Sequence, residues 1–136
     1  MEGYTSVVAQ VAEIAVNGGK LEVRKITCVV DCGQMVNPRI VESQMESGIV
    51  FGLTAALWGG ITVTAGRVRE TNFNTYRLLR ANEMPEVDVL LVASDVTPGG
   101  IGELAVGPVA PAICNALFTA TGRRVRSLPL AAHGLL

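Results

Sequence analysis

Asn17-Gly18-Gly19 is the stretch that most narrows the choice of fold. On either side lie Thr5–Val16 and Lys20–Asp31, two runs rich in β-branched and small apolar residues. Asn-Gly between such runs is a strong hairpin signal, because both central residues of the tight turn need positive φ. In the second run Leu21 and Val23 alternate with Glu22 and Arg24, and then Ile26, Cys28 and Val30 take over the apolar phase. That change predicts a β-bulge or a switch to burial on both faces.

The next long segment, VNPRIVESQMESGIVFGLTAALWGG, has helical periodicity. Asn37 suits the N-cap, Pro38 the first helical position, and Gly59-Gly60 the other end. Val41, Met45, Ile49, Leu53 and Leu57 form one apolar stripe. Gly48 and Gly52 lie inside the helix, each costing up to about 1 kcal/mol against Ala, so another element should approach that face closely. Gln44 shares that side and is expected to be half-buried, with a partner for its amide.

Ile61–Thr64, a turn at Ala65-Gly66, and Arg67–Glu70 make a second, shorter hairpin. TNFNTYRLLR is loop or short helix, and Val87–Ser94 is a strand. Pro108–Thr121 is a small-residue helix ended by Gly122. Arg123, Arg124 and Arg126 beyond it are expected to be cations at the negative end of that helix. The fold class is therefore α+β, a mostly antiparallel sheet from two hairpins plus one strand, packed with two main helices. Residues 1–136 read as a single domain, with no internal repeat and no low-complexity linker.

At 49% hydrophobic and 17% charged, the chain is apolar for a free-standing domain, so much of its surface is expected to lie against something else. A net charge of −1 gives no electrostatic case for nucleic acid or an anionic membrane. No signal peptide and no membrane span is visible, which leans towards the cytoplasm. Three cysteines argue against a disulfide framework. Cys28 and Cys32, on one strand, would be about 13 Å apart at about 3.3 Å per residue, too far to bridge. They are expected to be reduced and buried. No metal ligand set is expected, since the only histidine is His133.

The stretch PGGIGELAVGPVAPAICNALF places one carboxylate, Glu103, among Gly99, Gly100, Gly102 and Gly107. Three explanations compete. Gly100-x-Gly102-x-x-Ala105 matches a dinucleotide fingerprint in letters, but SDVTP separates it from the preceding strand, Pro108 would break the helix that should follow, and no acidic residue follows at the right distance. A second explanation is a plain turn whose Glu103 is solvated or caps a helix. The third is a catalytic carboxylate brought up to a ligand by a backbone that glycine lets come close. Partly desolvated there, Glu103 would have a raised pKa suited to general-base work.

PGGIGELAVGPVAPAICNALFTATGRRVRSLPL resembles the C-terminal signature of the molybdenum hydroxylases, the molybdopterin-binding large subunits of the xanthine dehydrogenase and aldehyde oxidase superfamily. The isoquinoline 1-oxidoreductase β-subunit type is nearest. VDCGQMVNPRIVESQMESGIVFGLTAAL and ETNFNTYRLLRANEMPEVDV extend the likeness over nearly the whole chain.

The resemblance implies that Glu103 is the general base, taking a proton from a molybdenum-bound hydroxide as its oxygen attacks an electrophilic carbon. It implies that Gly100, Ile101 and Gly102 lie beside the cofactor and that Gln44 sits near the pterin. The cofactor implied is molybdenum–molybdopterin, in a dinucleotide form. Implied partners are the remainder of the molybdopterin-binding subunit, an iron–sulfur subunit and a small-molecule substrate, an N-heterocycle or aldehyde. The family's subunits are several times longer, and Leu104-Ala105 replaces the proline that commonly follows the glutamate.

Two other functions compete with this one. One is a free-standing remnant serving as a binding or assembly module. The other is an independent small enzyme, disfavoured because His133 has no Ser or Cys partner in sequence context. The isolated chain is expected to be inert.

Overall fold

The computed structural model describes all 136 residues. Its main sheet has the order β1-β2-β3-β6, built from β1 (Glu2–Gly3), β2 (Ser6–Asn17), β3 (Lys20–Asp31) and β6 (Glu86–Leu91). The β2–β3 pair is the expected antiparallel hairpin, with Asn17 opposite Lys20. Its turn is centred on Gly18 and Gly19, at φ of 57° and 82°, one residue later than an Asn-Gly turn would be. The register slips between Glu13 and Ile14, which face Lys25 and Val23 and leave Arg24 unpaired. That bulge explains the change of phase: Leu21 before it and Ile26, Cys28 and Val30 after it all reach the buried face.

Strand β6 joins β3 in parallel, Lys25 opposite Glu86 through Val30 opposite Leu91. Lys25 Nζ donates to Glu86 Oε1 at 2.8 Å across that pair. The second hairpin, β4 (Val63–Thr64) with β5 (Arg67–Val68), is a separate two-stranded ribbon. Residues 71–80 form no regular element, and a short 3-10 turn follows at Ala81–Glu83.

Helix α1 (Pro38–Leu57) begins after Asn37, whose backbone is extended but whose side chain makes no capping hydrogen bond. Pro38 and the shape of the Asn37 backbone set the helix start instead. The stripe from Val41 to Leu57 is buried as its spacing requires. Helix α2 (Val106–Thr121) ends at Gly122 in the left-handed conformation. It starts two residues earlier than the sequence suggests, so Pro108 does not break it. Pro108 occupies the first turn, where no intrahelical N–H bond is lost.

Both helices pack on one face of the sheet, α2 against β2 and α1 against β6, and against each other. A cluster of 20 buried residues fills the space between the layers. The close approach expected at Gly48 and Gly52 is that of α2. A Cβ on Gly48 would lie 2.9 Å from the Ala105 Cβ, and one on Gly52 would lie 2.7 Å from the Val106 carbonyl oxygen. The other face of the sheet is open and mixed, with Val7 51%, Val11 64% and Leu90 50% exposed beside the ion pairs of Lys25 with Glu86 and Asp88.

Candidate functional site

Where β1, the middle of α1 and the start of α2 meet, a cavity of about 690 Å³ opens to the surface. Leu104 and Ala105 are buried beneath it, at 2% and 1% exposure. Because those two residues turn inwards, Glu103 just before them is carried outwards and lines the cavity. It is the single acidic or basic side chain on the wall, beside Gln44, Gly102, Tyr4 and Phe51. Glu103 takes part in no ion pair. It is exposed, so the desolvation expected from the sequence is not provided by this chain alone.

The loop that carries Glu103 is held on several sides. Gln44 is half-buried and finds the partner its position calls for: its Nε2 donates to the Gly102 carbonyl at 2.9 Å. Beyond Glu103, Gln10 Nε2 donates to the Ala105 carbonyl at 2.9 Å. The Gly99 N–H donates to the Cys32 carbonyl and the Gly100 N–H to the Tyr4 carbonyl, both at 2.9 Å.

The glycines of the loop differ in what they make room for. A Cβ on Gly99 would come within 2.2 Å of Ser6 Oγ, and one on Gly100 within 2.9 Å of the Tyr4 Cβ, so both are small because the β1–β2 turn lies against them. No atom lies within 4 Å of the place a Cβ on Gly102 would take. Gly102 faces open space beside Glu103, where a ligand could touch the backbone.

Of the residues singled out from the sequence, Gln44, Gly102 and Glu103 thus come together on one wall. Gly100 and Ile101 do not line the cavity; Gly100 sits under Tyr4, and Ile101 is half-buried against the core. Gln10 was missed. Its signal was present, since it falls in phase with Val8 and Ala12 and is, with Ser6, one of two polar residues on an otherwise apolar row. The Tyr4-Thr5 turn, at φ of 55° and 64° without glycine, was missed as well. The preceding strand ends at Leu91, and the glycine loop stacks on the β1–β2 turn, which is not the strand–turn–helix of a dinucleotide site.

The expectation that His133 lacks a serine partner is corrected by the fold. Ser127 Oγ lies 3.2 Å from His133 Nε2. The same nitrogen lies 2.9 Å from the Ser127 carbonyl oxygen, to which its N–H donates. No carboxylate orients the ring, so this contact closes the C-terminal tail and is not a nucleophile–base pair. Arg123 joins that closure through the His133 carbonyl, and Arg124 folds back over the Phe118 ring at 3.5 Å.

Cys28, Cys32 and Cys114 are free thiols, and burial pushes all three up from their usual pKa. No cluster of three His, Cys, Asp or Glu side chains that could hold a metal is present. No helix is long and apolar enough to cross a membrane.

Residues 1–85 match the family model described as the molybdopterin cofactor-binding domain. The β-subunit of isoquinoline 1-oxidoreductase from Brevundimonas diminuta is 39% identical over 125 residues, which is 90% of this chain and 16% of that protein. The molybdenum-binding subunit of xanthine dehydrogenase from Escherichia coli O157:H7 is 30% identical over 82% of this chain and 16% of its own length. The crystal structure of the aldehyde oxidoreductase from Desulfovibrio desulfuricans superposes with a TM-score of 0.77 at 26% identity, covering 91% of this chain and 14% of that one. The chain thus spans about a sixth or less of the length of these relatives. Matched by that family model over more than half its length, and by these much longer relatives over four-fifths of it or more, the chain belongs to the molybdopterin-binding domains of the molybdenum hydroxylases.

Proposed function

We propose that this chain forms one wall of a molybdopterin site in a hydroxylase and supplies Glu103 as its general base. The observation that carries the proposal is the placing of Glu103 as the only charged side chain on the cavity wall, beside a glycine with open space before it.

The residues present fit such a group. The cavity is within the roughly 300–1,000 Å³ of small-molecule and cofactor sites, and Gly102 leaves its floor free of side chain. The first turn of α2, with Val106 and Gly107, faces the same space, and the positive end of a helix suits an anionic, phosphate-bearing cofactor in a dinucleotide form. Gln44 and Gly102 would touch the pterin side of the group, and Gly100 and Ile101 would support that backbone from below. When bound, molybdenum–molybdopterin would supply the oxygen-transfer and electron-accepting chemistry of hydroxylation.

Glu103 then accepts, on a carboxylate oxygen, the proton released as a new carbon–oxygen bond forms on the substrate. A general base of this kind contributes about 10²–10⁴-fold to rate. Gln44 fixes the Gly102 carbonyl so that the neighbouring carboxylate keeps its aim. Closure of the cavity by other polypeptide would exclude water and give Glu103 the desolvation it lacks here. The substrate class is an electron-poor N-heterocycle or an aldehyde, as the names of the relatives suggest.

The remainder of a molybdopterin-binding subunit would cover exposed Val7, Val11 and Leu90 on the open face of the sheet, and an iron–sulfur subunit would take the electrons. Recovery of the polypeptide from molybdate-grown cells tests this. Molybdenum carried in a stoichiometric complex or a longer chain is expected; a metal-free complex would contradict it and make the chain an assembly module.

A further inference from the structure

We infer that Gln10 is a positioning residue for Glu103. The inference rests on the general-base role proposed above and adds a residue that neither the sequence motifs nor the cavity lining contains. Gln10 lies on the core-facing row of β2, between Val8 and Ala12, which are 1% and 9% exposed. A polar amide on such a row is costly unless it is bonded. Its Nε2 donates to the Ala105 carbonyl at 2.9 Å, spanning 95 positions of sequence, while its Oε1 is buried without a partner. The sulfur of Cys28, 3.8 Å from Nε2, is the only other group near enough to accept, and thioethers and thiols accept weakly. An apolar residue would fill this place without leaving Oε1 stranded. The Ala105 carbonyl is what the amide gains.

Ala105 lies two residues after Glu103, and Gly102 lies one before it. Two glutamine amides from different elements therefore grip the backbone on both sides of the carboxylate: Gln44 from α1 at Gly102 and Gln10 from β2 at Ala105, each at 2.9 Å. The β1–β2 turn adds a third hold through the Tyr4 carbonyl and the Gly100 N–H. Tyr4 and Thr5 keep left-handed backbone without glycine, and Thr5 is β-branched, a conformation that persists only where the surroundings over-determine it. Three contacts from three directions fix the Cα of an otherwise exposed side chain. A misplacement of about 1 Å at such a group can cost about 10²-fold in rate.

The test is a double-mutant cycle in the molybdenum-loaded holoenzyme, with kcat, KM, molybdenum content and melting temperature followed together. Gln10→Met keeps the length and removes the donor. It is expected to lower kcat by about tenfold to a hundredfold, with KM and molybdenum content unchanged. In a Glu103→Gln background the same substitution should lower the residual rate no further. An unchanged kcat, or an equal loss in both backgrounds, would overturn the positioning role. If Gln10→Met fails to fold or to load metal, Gln10→Leu carries the same cycle, since it fills the place with apolar atoms and likewise removes the donor. Full turnover by Glu103→Gln alone would instead sink the general-base proposal. An inactive Glu103→Gln beside a fully active Gln10→Met would sink only this one.

Discussion

Strand β2 ends in a two-residue turn at each extremity, Gly18-Gly19 at one and Tyr4-Thr5 at the other. All four residues take positive φ, between 55° and 82°. At the far turn glycine makes that backbone cheap, and nothing lies within 4 Å of either missing Cβ. At the near turn the same backbone is held by an aromatic and a β-branched residue, pressed against Gly99 and Gly100. The far turn only reverses the chain. The near one also sets the height of the loop that carries Glu103, and there the glycines have moved to the opposite side of the contact. Strain is therefore concentrated at the end of the strand that meets the candidate site.

The contrast can be broken most severely at Gly99. Gly99→Ala puts a methyl 2.2 Å from Ser6 Oγ and 3.0 Å from the Tyr4 carbonyl oxygen, so the turn and the loop must part. A loss of about 3 kcal/mol is expected in urea denaturation, the upper range for overpacking. Gly18→Ala meets no atom and pays only for left-handed backbone, about 1 kcal/mol. Equal losses for the two would remove the distinction between the turns. Thr5→Gly should act in the opposite sense. Release of β-branched strain outweighs the added freedom of the unfolded chain by about 0.5 kcal/mol, read as a rise in the urea midpoint.

The smallest effect is one of pH. Burial holds the Cys28 thiol up from its usual 9.0 in the folded chain. Its contribution to stability is full below that value and is lost as pH rises above it, because the unfolded thiol ionises first. Denaturation midpoints followed upward from pH 8 should decline in the original chain and decline less in Cys28→Ala.

What could be foreseen from the sequence was local. The hairpin, the stripe from Val41 to Leu57, and the bulge near Arg24 each follow from a repeat of two or of 3.6 within one segment. The meaning of Gly48 and Gly52 was also visible, as a demand for close approach, though not that Ala105, Val106 and Val109 would answer it. Contacts between distant segments were not foreseeable. The bond from Gln10 to Ala105 and the parallel pairing of β6 with β3 depend on how the whole chain closes. The Ser127–His133 contact escaped because it is made by a tail folding back, with no periodicity to announce it. Glu103 was found by its glycines; that Gly99 and Gly100 serve the turn while Gly102 serves the cavity needed the fold.

The claim on which the rest depends is that Glu103 handles the proton in hydroxylation. The most direct measurement is turnover by the molybdenum-loaded complex carrying Glu103→Gln, across pH and at a metal content matched to the original. The account predicts a fall in kcat of about 10²–10⁴-fold, together with loss of whatever rise in rate accompanies deprotonation of that carboxyl. Undiminished turnover at equal molybdenum loading would contradict it.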